Sequence, residues 1–592
     1  MTRQRLSRRR LRFCLYAFIG VFVVFAARLF QIQALDMGAY AAKAVEAGTA
    51  RVAVPAPRGE ILDRNGQPLA ASVHGRNLTA DPYLTAPHAP EIAAILRDKL
   101  GDRIDYFDTI DKLRKQVYNP QTKEMVPARF VYVAKGLPGD EASEVLTALE
   151  EYPGIFSEKI GLRTYPGGRL GANLVGFVDA DGKGRAGLEQ AQDKRLTGID
   201  GENTYEVSPL GVRIPMADTT VRQMVPGSDV VSTIDRDLQW YADQRVAAGV
   251  REASADWGLA ITMDVRTGEI VQMSQAPSFD LGDPRDRKGT WVKNLSVERP
   301  YEPGSVLKTI TMAALADQGK IRPESPIVVP KGIKVDQYRI GDYWKHGVLH
   351  LTAAGVIAKS SNLGTIVAAR QMTKRSHWEY LRKFGFGQYT GVGLAGETAG
   401  LLRDINTSPW AASHRATIAF GQGISVNAVQ IVRAVGAIAN GGVLVTPTVV
   451  DAYRLPDGRQ IDAPEGETRR AVSPEAAAIV RRMMEQVPRS DGGTAPAAQI
   501  AGYRVAGKTG TAWRVSPETG KYIRGQNTVS FIGFAPADKP RFITYVVLDK
   551  PHRNAGGGSA AAPVFHDIMA MALERFGVVP SGSKSPKLDL DW

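Results

Sequence analysis

The sequence predicts an α/β protein tied to a membrane by one N-terminal helix. Three observations carry this reading. An arginine-rich start runs into an apolar stretch; strand and helix patterns alternate beyond it; and two late strand-like runs enclose a polar turn, the mark of an antiparallel sheet flanked by helices. The chain has 592 residues and a formal net charge of +13. With 44% apolar and 23% charged residues it is not a disordered chain. Its length implies two or three globular units.

The charge excess is local. Residues 1–12, MTRQRLSRRRLR, hold six Arg and no acid. Without them 68 basic residues face 61 acidic ones over 580 positions, a mild +7. That distribution argues against a nucleic-acid-binding surface. Residues 13–27, FCLYAFIGVFVVFAA, carry no charge; Arg28 interrupts, and LFQIQAL continues to Leu35. A helix crosses a bilayer core with roughly 20 apolar residues. Residues 13–35 suffice if Arg28 snorkels to the outer interface. The arginines before the span keep the N-terminus in the cytoplasm. A cleaved signal peptide is the competing reading, but no small-x-small site directly follows the apolar run. The single cysteine, Cys14, lies in this segment. The exported part therefore has no disulfide, thiolate metal site or catalytic cysteine.

Residues 36–50 read as a short helix rising from the membrane. In RGEILDRNGQPLA (58–70), Asn65-Gly66 between apolar runs signals a hairpin turn. Residues 71–225 mix strand and helix patterns. A boundary is expected near Pro226-Gly227, before the strand-like DVVSTID (229–235). One α/β unit then runs to about residue 578. It opens with two strands within 258–275, joined by a Thr267-Gly268 turn. The end is polar and is expected to be a mobile tail. The predicted division is a basic tail 1–12, an anchor 13–35, an α+β pedestal 36–225, a second α/β domain 226–578 and a flexible tail 579–592.

Three motifs carry chemistry. In Tyr301-Glu302-Pro303-Gly304-Ser305-Val306-Leu307-Lys308 a Pro-Gly turn precedes a helical pattern. Ser305 is expected in the first helical turn, with Lys308 on the same face within hydrogen-bonding range. A serine hydroxyl needs a base to take its proton, and a neutral lysine can serve. The helix N-terminus adds N–H groups and partial positive charge. Ser360-Ser361-Asn362 follows a helical stretch and offers a second hydroxyl and an amide. Gly507-Lys508-Thr509-Gly510-Thr511 precedes two strand-like runs, NTVSFIGFAPA and RFITYVVLDK. It reads as the edge of an antiparallel sheet, presenting a cation, hydroxyls and free backbone to a substrate laid alongside. Gly510 is expected to let that substrate come close.

Each motif alone is weak. Their order, Ser305, Ser360, Lys508, in an exported chain matches the Ser-x-x-Lys, Ser-x-Asn, Lys-Thr-Gly set of penicillin-binding proteins and serine β-lactamases. The chain resembles a class B penicillin-binding protein, most of all the division-specific type, nearly end to end. RGEILDRNGQPLA resembles the opening of the class B pedestal. TIDRDLQ (233–239) and MDVRTGEIVQMSQAPSFD (263–280) resemble the start of the transpeptidase domain. AFGQGISV (419–426), IANGG (438–442) and YRVAGKTGTA (503–512) resemble the division enzymes. Val306, Leu307 and Asn427-Ala428-Val429 depart from the usual pattern without removing a catalytic group.

The resemblance implies a penicillin-binding/β-lactamase-like transpeptidase fold and a septal peptidoglycan D,D-transpeptidase. Ser305 would attack the penultimate D-Ala carbonyl of a stem peptide, with Lys308 as base. Ser360 would relay a proton to the leaving amine, and Asn362 would position Lys308 and the substrate amide. Lys508, Thr509 and Thr511 would bind the substrate carboxylate. The N–H groups of Ser305 and Thr511 would form the oxyanion hole. It implies acylation by β-lactam antibiotics, no cofactor, and as partners a membrane glycan polymerase and other cell-division proteins.

Competing readings are weaker. Gly502 to Thr509 matches G-x-x-x-x-G-K-[ST], the phosphate-binding loop, but that loop needs a following helix, and strand-forming residues follow here. A β-lactamase of the Glu-x-x-x-Asn type is disfavoured: Glu397, Glu465, Glu467, Glu475 and Glu485 lack Asn four residues on. A D-Ala-D-Ala carboxypeptidase and a catalytically silent division scaffold are the alternatives. His346-Gly-Val-Leu-His350 has i, i+4 spacing, but Gly347 disfavours a helix and no Glu follows His346, so no metal site is read.

Overall fold

The computed structural model describes residues 2–32, 49–120, 122–206, 219–516, 519, 521–551 and 555–592. They form two compact units: residues 1–56 with 198–226, and residues 57–197 with 227–592. The first holds the helix Thr2–Phe30. Its segment Arg9–Phe30, 22 residues of mean hydropathy 2.2, is long and apolar enough to cross a membrane. The strands Thr49–Val54, Gly201–Glu206 and Thr219–Arg222 make an antiparallel sheet in this unit. The helix expected over 36–50 falls mainly on residues 33–48, outside the described ones; residues 49 and 50 open the first of these strands.

The second unit begins with the expected hairpin. Strands β1 (Ile61–Leu62) and β2 (Pro68–Ala80) are antiparallel. Asp63 Oδ1 accepts the N–H groups of Asn65 and Gln67, both at 2.8 Å, which fixes the turn between them. β1 also pairs in parallel with β3 (Asp229–Ser232), which pairs with Val450–Arg454. A single sheet thus runs through the boundary expected near residue 226. The strands Val131–Pro138 and Ile155–Thr164 extend β2. Three helices, Ala89–Leu100, Tyr106–Leu113 and Gly139–Ala148, close a separate small core with Leu78, Ile92, Leu96, Val133 and Val145. Contacts group residues 57–197 with 227–592, and ion pairs tie down the segment after residue 57 within this unit. Arg58 pairs with Glu189 at 2.7 Å and Asp193 at 2.8 Å, and Arg163 with Glu189 at 2.6 Å.

The central sheet is antiparallel, built from β4 (Trp257–Asp264), β5 (Ile270–Ala276), β6 (Ala506–Val515), β7 (Tyr522–Ala535) and β8 (Phe542–Asp549). Its order is β5-β4-β8-β7-β6, so β6 is an edge. β4, β5 and β8 are buried at every residue. Their lack of polar alternation follows, because helices cover both faces. Arg236–Ala253 and Ala562–Arg575 pack on one face; Phe565 meets Phe531 with ring centroids 4.7 Å apart. Ala428–Ala439 packs on the other, where Met263 meets Gly436. Lys508 and Thr509 lie inside strand β6, so no helix follows them and the phosphate-loop reading fails.

The C-terminal tail corrects an expectation. Residues 579–592 read as mobile, yet they are docked. Gln486 Nε2 donates to the Pro586 carbonyl at 2.9 Å and Arg489 Nη1 to Leu588 at 3.0 Å. Thr352 N–H donates to Leu590 and Trp592 N–H to His350. Alternation explains it: Leu588, Leu590 and Trp592 sit every second residue, the period of a strand.

Candidate active site

The three motifs meet at one edge of the central sheet. Gly304–Leu307 is a 3₁₀ turn, and the helix begins at Lys308 and runs to Asp317. In a 3₁₀ turn residues i and i+3 eclipse, which puts Ser305 and Lys308 on one side. Ser305 is half-buried; Lys308 is fully buried. The hydrogen bonds of Lys308 Nζ differ from the expected one to Ser305. They run to Ser360, to its carbonyl at 2.5 Å and its Oγ at 3.2 Å.

Ser360 stands between two helices, Ala353–Ala358 and Asn362–Ala369, with φ +58°. A serine in the left-handed region costs about 1–3 kcal/mol and persists only where its surroundings enforce it. Ser361 caps the second helix, its Oγ accepting the Gly364 N–H at 2.9 Å. Asn362 is half-buried, and its amide donates to the Gly341 carbonyl at 3.2 Å.

Lys508, on β6, is fully buried. Its Nζ donates to Ser360 Oγ at 2.8 Å, the Thr509 carbonyl at 3.0 Å and Thr509 Oγ1 at 3.2 Å. Two amino groups thus share one hydroxyl. Burial lowers Lys308 to about 7, with the charge of Asp342 opposing the shift. Burial, and then the charge of Lys308, lower Lys508 well below the usual lysine value. Two ammonium ions so close in a buried site repel, so the pair gives up one proton readily.

Thr509 is buried and Thr511 half-buried. A Cβ at Gly510 would lie 2.2 Å from Ser530 Oγ, 3.0 Å from Val306 and 3.2 Å from the Pro303 carbonyl. The neighbouring strand β7 and the Ser305 turn both need that room.

Sequence reasoning missed the supports. Gly304 N–H donates to the Gly421 carbonyl at 3.0 Å, and Tyr301 and Val426 exchange backbone bonds at 3.0 and 2.9 Å. Glu302, three residues before Ser305, accepts the Gly423 N–H at 2.8 Å and the Tyr522 hydroxyl at 3.0 Å. Burial pushes Glu302 up to about 7. Asp342 and His346 sit under Asn362. The Ala419–Val426 stretch did carry a signal in its Gly-x-Gly, which marks close backbone approach. Asp342 carried none. Among the described residues no three of His, Cys, Asp or Glu come together as a metal would require.

Comparison with known proteins gives the family. Residues 258–570 match the penicillin-binding protein transpeptidase domain, and residues 53–232 the penicillin-binding protein dimerisation domain. Penicillin-binding protein PbpB of Mycolicibacterium smegmatis is 36% identical over 97% of this chain and 91% of its own. Peptidoglycan D,D-transpeptidase FtsI of Escherichia coli is 32% identical over 89% of this chain and 86% of its own. The crystal structure of penicillin-binding protein 3 from Mycobacterium tuberculosis complexed with ampicillin superposes with a TM-score of 0.71 at 32% identity. The alignment covers 91% of this chain and all of that one. A dimerisation domain followed by a transpeptidase domain bearing the three motifs is the class B arrangement, and the chain belongs to the class B penicillin-binding proteins.

Proposed function

We propose that the chain is a membrane-anchored peptidoglycan D,D-transpeptidase that cross-links stem peptides in septal wall synthesis. One observation carries the reading: two buried lysines converge on Ser360 Oγ beside the Ser305 turn, at the free edge of β6. Neutral Lys308 takes the Ser305 proton as Oγ attacks the penultimate D-Ala carbonyl. The N–H groups of Ser305 and Thr511 hold the oxyanion, each donor worth about 2.7–4 kcal/mol. The peptide C–N bond breaks, Ser360 passes a proton to the leaving D-Ala amine, and an ester remains on Ser305. An amine of a second stem peptide attacks that ester, forms the new amide and returns the hydroxyl.

The lysine pair suits this sequence. A substrate carboxylate beside Lys508, Thr509 and Thr511 favours the charged form of Lys508. The free amine is then left to Lys308, where the base is needed. Asn362 holds the substrate amide. A β-lactam carries the same carboxylate and acylates Ser305. The relatives named peptidoglycan D,D-transpeptidase, and the ampicillin complex, support this chemistry.

Residues 1–12 are the cytoplasmic tail, 13–35 the anchor, 36–225 the pedestal and 226–578 the exported transpeptidase domain. Partners are a membrane glycan polymerase and other division proteins. Full-length protein in detergent, treated with fluorescent penicillin, should label, and Ser305→Ala should not. Equal labelling of both overturns the mechanism. D-Ala released from a stem peptide without cross-linked product, with an acceptor amine present, would mark a carboxypeptidase instead.

A further inference from the structure

Asp342 lies in the loop between the strands Tyr338–Ile340 and Leu349–Thr352. Its side chain is 0% exposed. Oδ1 accepts the N–H of Asn362 at 2.5 Å and of Leu363 at 3.0 Å. Oδ2 accepts the Ser361 hydroxyl at 2.6 Å and faces His346 Nε2 at 3.0 Å. One carboxylate thus holds three consecutive residues, 361 to 363, directly after Ser360. The neighbouring Gly341 carbonyl holds the Asn362 amide.

His346 completes the arrangement. Its ring is 6% exposed, and Nδ1 lies 2.6 Å from the Gly347 carbonyl. Asp342 is thus a buried carboxylate with three N–H or O–H donors and the His346 ring against it; the same carboxylate left unpaired would not be stable there.

We propose that Asp342, paired with His346, is the positioning residue that fixes the Ser360–Asn362 turn against Lys308. The proposal rests on the acyl-transfer reading of the site. Ser360 keeps its left-handed backbone because the residues after it are pinned. Asp342 also acts through charge, as it favours the ammonium form of Lys308. The charged groups bearing on Lys308 are Asp342 from the loop and Lys508 from β6; the titratable ring of His346 faces Asp342 Oδ2. Lys359, next to the turn, is engaged by Asp591 at 2.8 Å.

Charge makes the role separable from mere support. Asp342→Asn removes an anion near Lys308, so the free amine forms at lower pH. His346→Gln takes the ring away from Asp342 Oδ2 and leaves the carboxylate in place. The test is the rate of penicillin acylation against pH, on full-length protein in detergent, for the unchanged chain and both variants. Asp342→Asn should lower the plateau rate ~10- to 100-fold and move the acid limb down by about 0.5–1 pH unit. His346→Gln should slow the plateau about tenfold, by loosening Asp342, and leave the limb where it is. An unmoved limb in folded Asp342→Asn overturns the proposal, whatever happens to the rate. If Asp342→Asn does not fold, His346→Gln decides alone: a slower plateau with an unmoved limb supports the proposal, and an unchanged plateau overturns it. A chain that fails to label at Ser305 without any loop substitution overturns the acyl-transfer reading itself, and the proposal with it.

Discussion

Lys308 has the ordinary chemistry of a lysine and an extraordinary place. Its amine is fully buried, with the Ser360 carbonyl and hydroxyl as hydrogen-bond acceptors. Burial lowers it to about 7. A base must be free, and the free fraction grows as pH rises through that value. Penicillin acylation of Ser305 should therefore climb about tenfold per pH unit below 7 and level off above it. Rates measured from pH 5.5 to 9 check this; a rate still climbing at pH 9 would mean a lysine at its ordinary value. The groups proposed for the chemistry were legible in the sequence, because Ser305, Lys308, Ser360 and Lys508 sit in short motifs of fixed spacing. Asp342 was not, because it lies twenty residues before Asn362 in no motif, and only the fold brings its carboxylate under the turn.

Among elements, the Ser305 turn shows what a motif needs beneath it. The Ala419–Val426 stretch runs along Tyr301–Gly304 and holds it by backbone hydrogen bonds. Gly421 has φ +88°, and a Cβ there would stand 2.0 Å from the Gly304 carbonyl oxygen. Neither backbone can yield without moving Ser305. Gly421→Ala should cost about 1–3 kcal/mol of overpacking beyond its left-handed strain, and slow acylation about tenfold or more. Gly393 is the control, with φ +80° and open space around its Cβ position. Gly393→Ala should carry only the left-handed cost of roughly 1–2 kcal/mol and keep its acylation rate. Melting temperatures and acylation rates of the two variants separate the effects; equal acylation would remove the support role from Gly421. Strands β4 to β8 were legible from their apolar runs and turns, and the edge position of β6 from the residues after it. The Gly-x-Gly at 421–423 signalled a close approach, but not that the Gly304 carbonyl makes it.

At the scale of the whole molecule, one compact unit gathers residues far apart in sequence, and the C-terminal tail is its last piece. Composition reads 579–592 as polar and loose; in the structure its end is docked through Leu588 and a single β-bridge. Asp591 bridges to Leu351 in the strand Leu349–Thr352, and Thr352 Oγ1 donates to the Asp589 carbonyl at 2.7 Å. Trp592 meets the His350 ring edge-on at 5.0 Å. That strand leads through the helix Ala353–Ala358 to Ser360, so the tail braces the second motif from behind. Leu588 is 8% exposed, and its burial alone contributes about 1.5–3 kcal/mol. Removing residues 586–592 also strips partners from Thr352, Gln486 and Arg489, each bond worth about 0.5–1.5 kcal/mol. The shortened chain should lose about 3–7 kcal/mol of stability by denaturant unfolding. Its acylation should slow at fixed pH, because the strain at Ser360 is no longer held from that side. The pH at which acylation levels off should stay near 7, since no charge bearing on Lys308 has been removed. Full stability and full acylation in the shortened chain would mean that the tail rests on the domain without bracing it.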